Sequence, residues 1–175
     1  KPSPIETFLG AHPAAMAFVQ APKPMPASFA TQSFYGVNAF EFTNKQGKSL
    51  FGRYQIVPVD GDQSLTEEKA AQLAPNYLME ELAQRVAGKP TKYKLLLQIA
   101  DKDDVVNDPT VVWPAERKLV ELGTLIINRV VPDAKDIEKK LAFNPLNLPD
   151  GIKPSNDPVL LYRPVVYAVS VGRRQ

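Results

Sequence analysis

From Phe34 the chain alternates: Phe34, Gly36, Asn38, Phe40 and Phe42 fall on one side, and Tyr35, Val37, Ala39 and Glu41 on the other. A second alternating run covers Ser49 to Val59, and Asn44-Lys45-Gln46-Gly47 between them is a turn signal. The pattern predicts a β-hairpin. A third run sets Tyr93, Leu95, Leu97 and Ile99 against Lys94, Leu96 and Gln98, and a β-branched stretch over 117–131 ends at Pro132. Helical spacing occurs in two inserts. Leu65 and Thr66 serve as staple and cap for a helix opening at Thr66. Leu78, Leu82 and Val86 recur over Asn76 to Ala87, stopped by Gly88-Lys89-Pro90. Near the start, Ser3 caps a helix with Pro4 at its first position; its apolar face over 4–19 is interrupted by Gly10 and Pro13, so it reads as one helix or two short turns. Pro22, Pro24 and Pro26 force an extended linker. Beyond Pro132 come a brief helix from Asp133 to Leu141 and an irregular stretch from Asn144 to Pro158. The last segment, Pro158 to Arg174, is strand or helix on equal terms, because its valines disfavour a helix and Pro164 sits inside it. Four long strands are too few to close a barrel, for which about eight is usual. The sheet is either open and packed on helices, or completed by strands from elsewhere.

Composition narrows the chemistry. The 175 residues suffice for one domain, and the formal charge of +2 gives no reason to invoke nucleic acid or an anionic membrane. No stretch reaches the length of a membrane span, and the N-terminal residues lack the apolar core of a signal peptide. With no cysteine, disulfides, thiolate catalysis and iron–sulfur clusters are excluded. The 17 prolines, about twice the usual share, point to long ordered connections.

His12 is the one histidine, without metal-ligand spacing, and reads as a helix-surface residue. Asp101, Asp103, Asp104 and Asp108 lack the glycine and terminal glutamate of a calcium loop and read as a solvated acidic loop. Arg163 and Tyr167 are four apart, which on a helix places both on one face. A guanidinium beside a phenol favours phenolate, and tyrosine is a known axial haem ligand. By itself the pair is weak as a pattern and is read first as an arginine packed on an aromatic ring.

Several collinear segments carry a family resemblance. Tyr35-Gly36-x-x-x-Phe40-x-x-x-Asn44 with its glycine-bearing turn resembles a hairpin of the haem catalase barrel. Asp108-Pro109-Thr110-x-x-Trp113-Pro114, Glu121-x-Gly123 leading to Asn128-Arg129, Ala142-Phe143-Asn144-Pro145-x-Asn147 and Gly151-Ile152-x-Pro154-Ser155-x-Asp157 resemble further blocks of that family, followed by Arg163-x-x-x-Tyr167. The resemblance covers nearly the whole chain and is strongest to the smaller catalase-related peroxidases. It implies an α+β fold: an antiparallel, barrel-type sheet, present as a partial barrel, with inserted and C-terminal helices. On this reading residues 1–175 are the C-terminal portion of a haem domain, with barrel strands at about 33–131 and a proximal haem segment at about 142–175.

The implied cofactor is haem b, with its iron, and the implied substrates are hydrogen peroxide and organic hydroperoxides. Tyr167 matches the tyrosinate that ligates the metal, and Arg163 the arginine that keeps it ionised. Asp157 matches an acid behind that arginine, and Arg174 an arginine that pairs with a haem propionate. In large catalases a histidine joins the acid and the arginine; the matching position is read as Gln55, a departure. The family's distal histidine and asparagine lie on an N-terminal part outside this sequence, so that part is an expected partner, as is a second copy of the chain in a homo-oligomer. The bacterial cytoplasm and periplasm are both compatible. The competing reading is a non-enzymatic fragment that binds haem or another small ligand.

Overall fold

The alternating runs form one antiparallel sheet in the computed structural model, which describes residues 2–174. Residues 1 and 175, the outer limits of the expected domain, lie outside the described residues. The chain opens with α1 (Pro4–Ala11) and α2 (Pro13–Gln20), broken at His12 where Pro13 cannot continue the first helix. Ser3 and Glu6 form a reciprocal capping box at the start of α1. The proline-rich linker leads through β1 (Met25–Pro26) and a 3₁₀ turn, Phe29–Thr31, to β2 (Phe34–Tyr35), β3 (Phe40–Thr43) and β4 (Ser49–Pro58). After β5 (Ser64–Leu65), which pairs with β1, come α3 (Glu67–Ala70) and α4 (Tyr77–Gly88). The sheet resumes with β6 (Thr91–Ile99) and β7 (Leu119–Ile127). Then follow α5 (Ala134–Lys140), β8 (Ile152–Pro154) and α6 (Pro158–Gly172).

The strand order is β7-β6-β4-β3-β8, with β2 also on β4. The fold is thus α+β, with an antiparallel sheet that is not closed into a barrel. The structure departs from the sequence pattern in two of these elements and decides a third that the pattern left open. The run from Phe34 to Phe42 is two strands, because residues 36–39 lie opposite only Arg53 and Tyr54 of β4. Two extra residues therefore bulge out between β2 and β3, while Gly36 N–H still donates to the Tyr54 carbonyl at 2.8 Å. The irregular stretch contributes the short strand β8 beside β3. The last segment is a helix despite its valines. Asp157 caps it, Pro158 occupies its first position, and Leu160 is fully buried, so capping and packing override propensity.

The core under the sheet holds Ala30, Ala39, Val86, Tyr93, Leu97 and Leu160. Tyr93 hydroxyl donates to the Phe29 carbonyl at 2.8 Å, tying β6 to the 3₁₀ turn. Gly52 is required by packing: a Cβ there would stand 2.7 Å from Leu97 across the sheet.

Candidate proximal site at the last helix

The register of β8 on β3 builds the site. Phe40 pairs with Pro154, and one step further Ser155 N–H donates to the Ala39 carbonyl at 3.2 Å. The ladder thus brings Asp157 beside the bulge that carries Asn38. Asp157 is 1% exposed. Its Oδ1 accepts the Val159 and Leu160 N–H groups of α6 at 2.8 and 3.3 Å, and its Oδ2 accepts Asn38 Nδ2–H at 2.6 Å. The negative charge sits at the positive end of a 15-residue helix, where it is favoured.

Arg163 lies on α6. Its Nη1 donates to Asn38 Oδ1 at 2.8 Å, and its Nε donates to Tyr167 Oη at 2.9 Å; Nη2 donates to the same oxygen. A single guanidinium therefore grips the phenol oxygen with two N–H groups. Tyr167 and Arg163 line a cleft of about 550 Å³ together with Phe143, Pro145, Val171 and Arg174. They also line an apolar cleft of about 380 Å³ with Val159, Tyr162 and Val166.

Of the four residues singled out from the sequence, Asp157, Arg163 and Tyr167 fall into one hydrogen-bonded chain. Arg174 borders the same cleft, with Nη2 donating to the Leu141 carbonyl at 2.8 Å. The residue between acid and arginine is Asn38. Gln55 pairs with Tyr35 and Leu96 in the sheet and lines a separate cleft beside Trp113. The sequence signal that could have found Asn38 is Gly36, since a glycine inside a strand pattern often marks a bulge.

The Asp-Pro-Thr-x-x-Trp-Pro segment wraps a buried cation. Arg53 is 5% exposed; its Nη1 and Nη2 donate to the Val111 and Asp108 carbonyls at 2.8 and 3.2 Å, and its guanidinium lies 4.1 Å from the Trp113 ring centroid. Burial pushes this guanidinium down from its ordinary value, against the opposing pull of Asp104, Asp157 and Asp108. Asp104 in turn takes a two-pronged pair from Arg117, at 2.8 and 3.0 Å. That pair holds the Asp104 carboxyl below the usual carboxylate range. The acidic loop is thus built around arginines, and no cluster of His, Asp and Glu suited to a metal occurs among the described residues. His12 Nδ1 lies 2.7 Å from the Phe8 carbonyl and its ring stacks on Phe8. No helix among the described residues is long and apolar enough to cross a membrane.

An open antiparallel sheet with inserted and C-terminal helices is the fold the resemblance implies. The family model for Catalase matches residues 8–174, and the chain belongs to the catalase family. Among the most similar relatives is a catalase-related peroxidase of Synechococcus elongatus, 34% identical over 99% of this chain and 52% of the relative. Another, from Mycolicibacterium paratuberculosis, is 32% identical over 99% of this chain and 56% of the relative. The chain therefore spans about half the length of these curated relatives. Among solved structures, a bacterial catalase superposes with a TM-score of 0.82 at 24% identity, covering 96% of this chain and 35% of that one. A fungal catalase gives a TM-score of 0.76 at 25% identity, over 85% and 32%.

Proposed function

We propose that this chain supplies the proximal side of a haem b site in an enzyme that decomposes hydrogen peroxide or reduces organic hydroperoxides, with Tyr167 as the residue that would ligate the iron. The observation that carries this reading is the Tyr167 oxygen, held by two guanidinium N–H groups of Arg163 at the border of a cleft. The donor set fits the group. A ferric centre takes an anionic oxygen ligand, and Tyr167 lines the cleft with a phenol that can supply one. Phe143, Pro145 and Val171 offer apolar surface for a macrocycle, and Arg174 offers a guanidinium suited to a carboxylate.

Bound haem would supply the redox chemistry of peroxide cleavage. Arg163 holds the phenol oxygen in a fixed direction through two N–H groups. Asp157 anchors the start of α6 and, through Asn38, the back of the guanidinium. Arg174, on the border of the cleft, would pair with an anionic edge of the cofactor. General acid–base work on the peroxide belongs, on this reading, to an N-terminal part of the protein that precedes these residues.

The test is the visible spectrum of the protein as purified and after adding haemin. A high-spin ferric spectrum of the tyrosinate-ligated type, abolished or transformed in Tyr167→Phe, is expected. A protein that takes up no haem, or an unchanged spectrum in Tyr167→Phe, overturns the reading.

A further inference from the structure

Reduction of an organic hydroperoxide, unlike disproportionation of hydrogen peroxide, needs two electrons from a separate reductant. Few side chains here can pass them on singly. Cysteine is absent. Trp113 is buried against Arg53, whose guanidinium lies 4.1 Å from its ring centroid, and a fixed positive charge there opposes a second one on the indole. Tyr77 and Tyr93 spend their hydroxyls on the Pro26 and Phe29 carbonyls, and Tyr54 packs against the rings of Phe40 and Phe42. Tyr35 and Tyr162 are equally open to solvent, each 64% exposed. They differ in place. Tyr35 lines the cleft beside Trp113, and Tyr162 lines the apolar cleft that holds Tyr167.

Tyr162 precedes Tyr167 on α6 by about 7.5 Å of helix rise. Tyr167 and Arg163 line both clefts, whereas Arg174 borders only the first of the two. A cofactor whose carboxylates pair with Arg174 would therefore turn its apolar edge toward Val159, Tyr162 and Val166. Tyr162 then stands between that edge and water. We propose that Tyr162 is the point at which electrons enter the site from small, electron-rich phenols, an inference that rests on the haem reading above. Once peroxide has oxidised the cofactor, Tyr162 gives it one electron and releases its hydroxyl proton to water, leaving a neutral phenoxyl radical. A phenol from solution, stacked on the exposed ring, returns a hydrogen atom to that radical and departs as a phenoxyl radical itself. Two such cycles turn one hydroperoxide ROOH and two phenols into ROH, one water and two phenoxyl radicals. The phenol never has to enter the cleft, so a reductant much larger than the peroxide is accommodated.

The test uses the haem-loaded chain with peracetic acid as oxidant, whose acetate leaves without the acid help assigned to the N-terminal part. Wild type, Tyr162→Phe, Tyr162→Trp and Tyr35→Phe are compared by electron paramagnetic resonance of samples frozen after mixing, with and without the phenol guaiacol. Tyr35→Phe removes an equally exposed phenol that lies off the Tyr167 cleft. Wild type and Tyr35→Phe are expected to give a tyrosyl radical signal that guaiacol removes. Tyr162→Phe is expected to lose that signal and to oxidise guaiacol no faster than free haemin does, while its resting visible spectrum stays that of wild type. Tyr162→Trp is expected to show a tryptophanyl signal in place of the tyrosyl one and to recover guaiacol oxidation.

A tyrosyl signal retained in Tyr162→Phe or in Tyr162→Trp overturns the assignment, as does its loss in Tyr35→Phe. A wild-type chain that binds haem and yields no radical overturns it too. Each of these outcomes leaves the haem reading standing, because the resting spectrum reports on haem before any oxidant is added. A wild-type chain with no haem spectrum overturns both.

Discussion

Asp157 satisfies two N–H groups at the start of α6 and the amide of Asn38 from an almost wholly buried position. Asp157→Ala removes a cap, worth about 1 kcal/mol, and strands a buried N–H of Asn38, worth about 1–3 kcal/mol. Urea unfolding should show a combined loss of about 2–4 kcal/mol; a loss under about 0.5 kcal/mol would mean that these bonds do not stabilise the fold. Asp104 makes a pH prediction. Its carboxyl lies below the ordinary range because of Arg117, so its contribution is complete above the ordinary carboxylate value. That contribution is lost as pH falls through the lowered one. Asp104→Asn should therefore flatten the acid side of the stability profile, and an acid limb as steep as wild type would refute this. At this scale the sequence was informative where charge and spacing advertise themselves: Arg163 and Tyr167, four apart, do share a helix face. Asn38 is neutral and embedded in a strand-like run, its one nearby signal is Gly36, and its two partners are 119 and 125 residues away.

Among the elements, the bulge between β2 and β3 explains why the alternation was legible and the interruption was not. Two extra residues leave the parity of the strand unchanged, so Phe34 and Phe40 keep the same sense in the pattern whether or not the bulge is there. The final segment was ambiguous for the opposite reason. Its local preferences conflict, and the deciding terms, the Asp157 cap and the buried Leu160, come from tertiary structure. Strand β8 is aimed by Gly151, whose φ of +84° suits glycine and whose added Cβ would meet the Thr43 carbonyl at 3.0 Å. Gly151→Ala should cost about 1–3 kcal/mol in thermal or urea unfolding, and should loosen haem retention as well, since β8 delivers Asp157 to Asn38. Wild-type stability in Gly151→Ala would show that the turn tolerates a side chain.

For the whole molecule, too few strands left either an open sheet or one completed from elsewhere, and the extra strands found do not close it. Its edge strand β7 leaves Leu119, Leu122, Leu125, Ile126 and Ile127 exposed, and α6 leaves Val159, Val165, Val166 and Val169 exposed beside the clefts. What would cover these faces was not legible, because the apolar periodicity of a strand is the same whether its partner lies in this chain or beyond it. His12, the one imidazole of the sequence, is not among the residues lining the cleft at Tyr167. The isolated 175-residue chain is therefore expected to show no substantial catalase activity in an oxygen-evolution assay. Robust turnover by the verified pure chain would refute the division of labour proposed above.

The long reach of the Asn38 bonds has a consequence for biosynthesis. Asn38 and Arg163 are separated by 125 residues, roughly 6–25 s of elongation at about 5–20 residues per second. Throughout that interval the emerging sheet carries an amide whose partners have not yet been made. The pairing of Arg163 with Asn38 can close only after α6 has been synthesised, so it is among the later contacts of these residues to form.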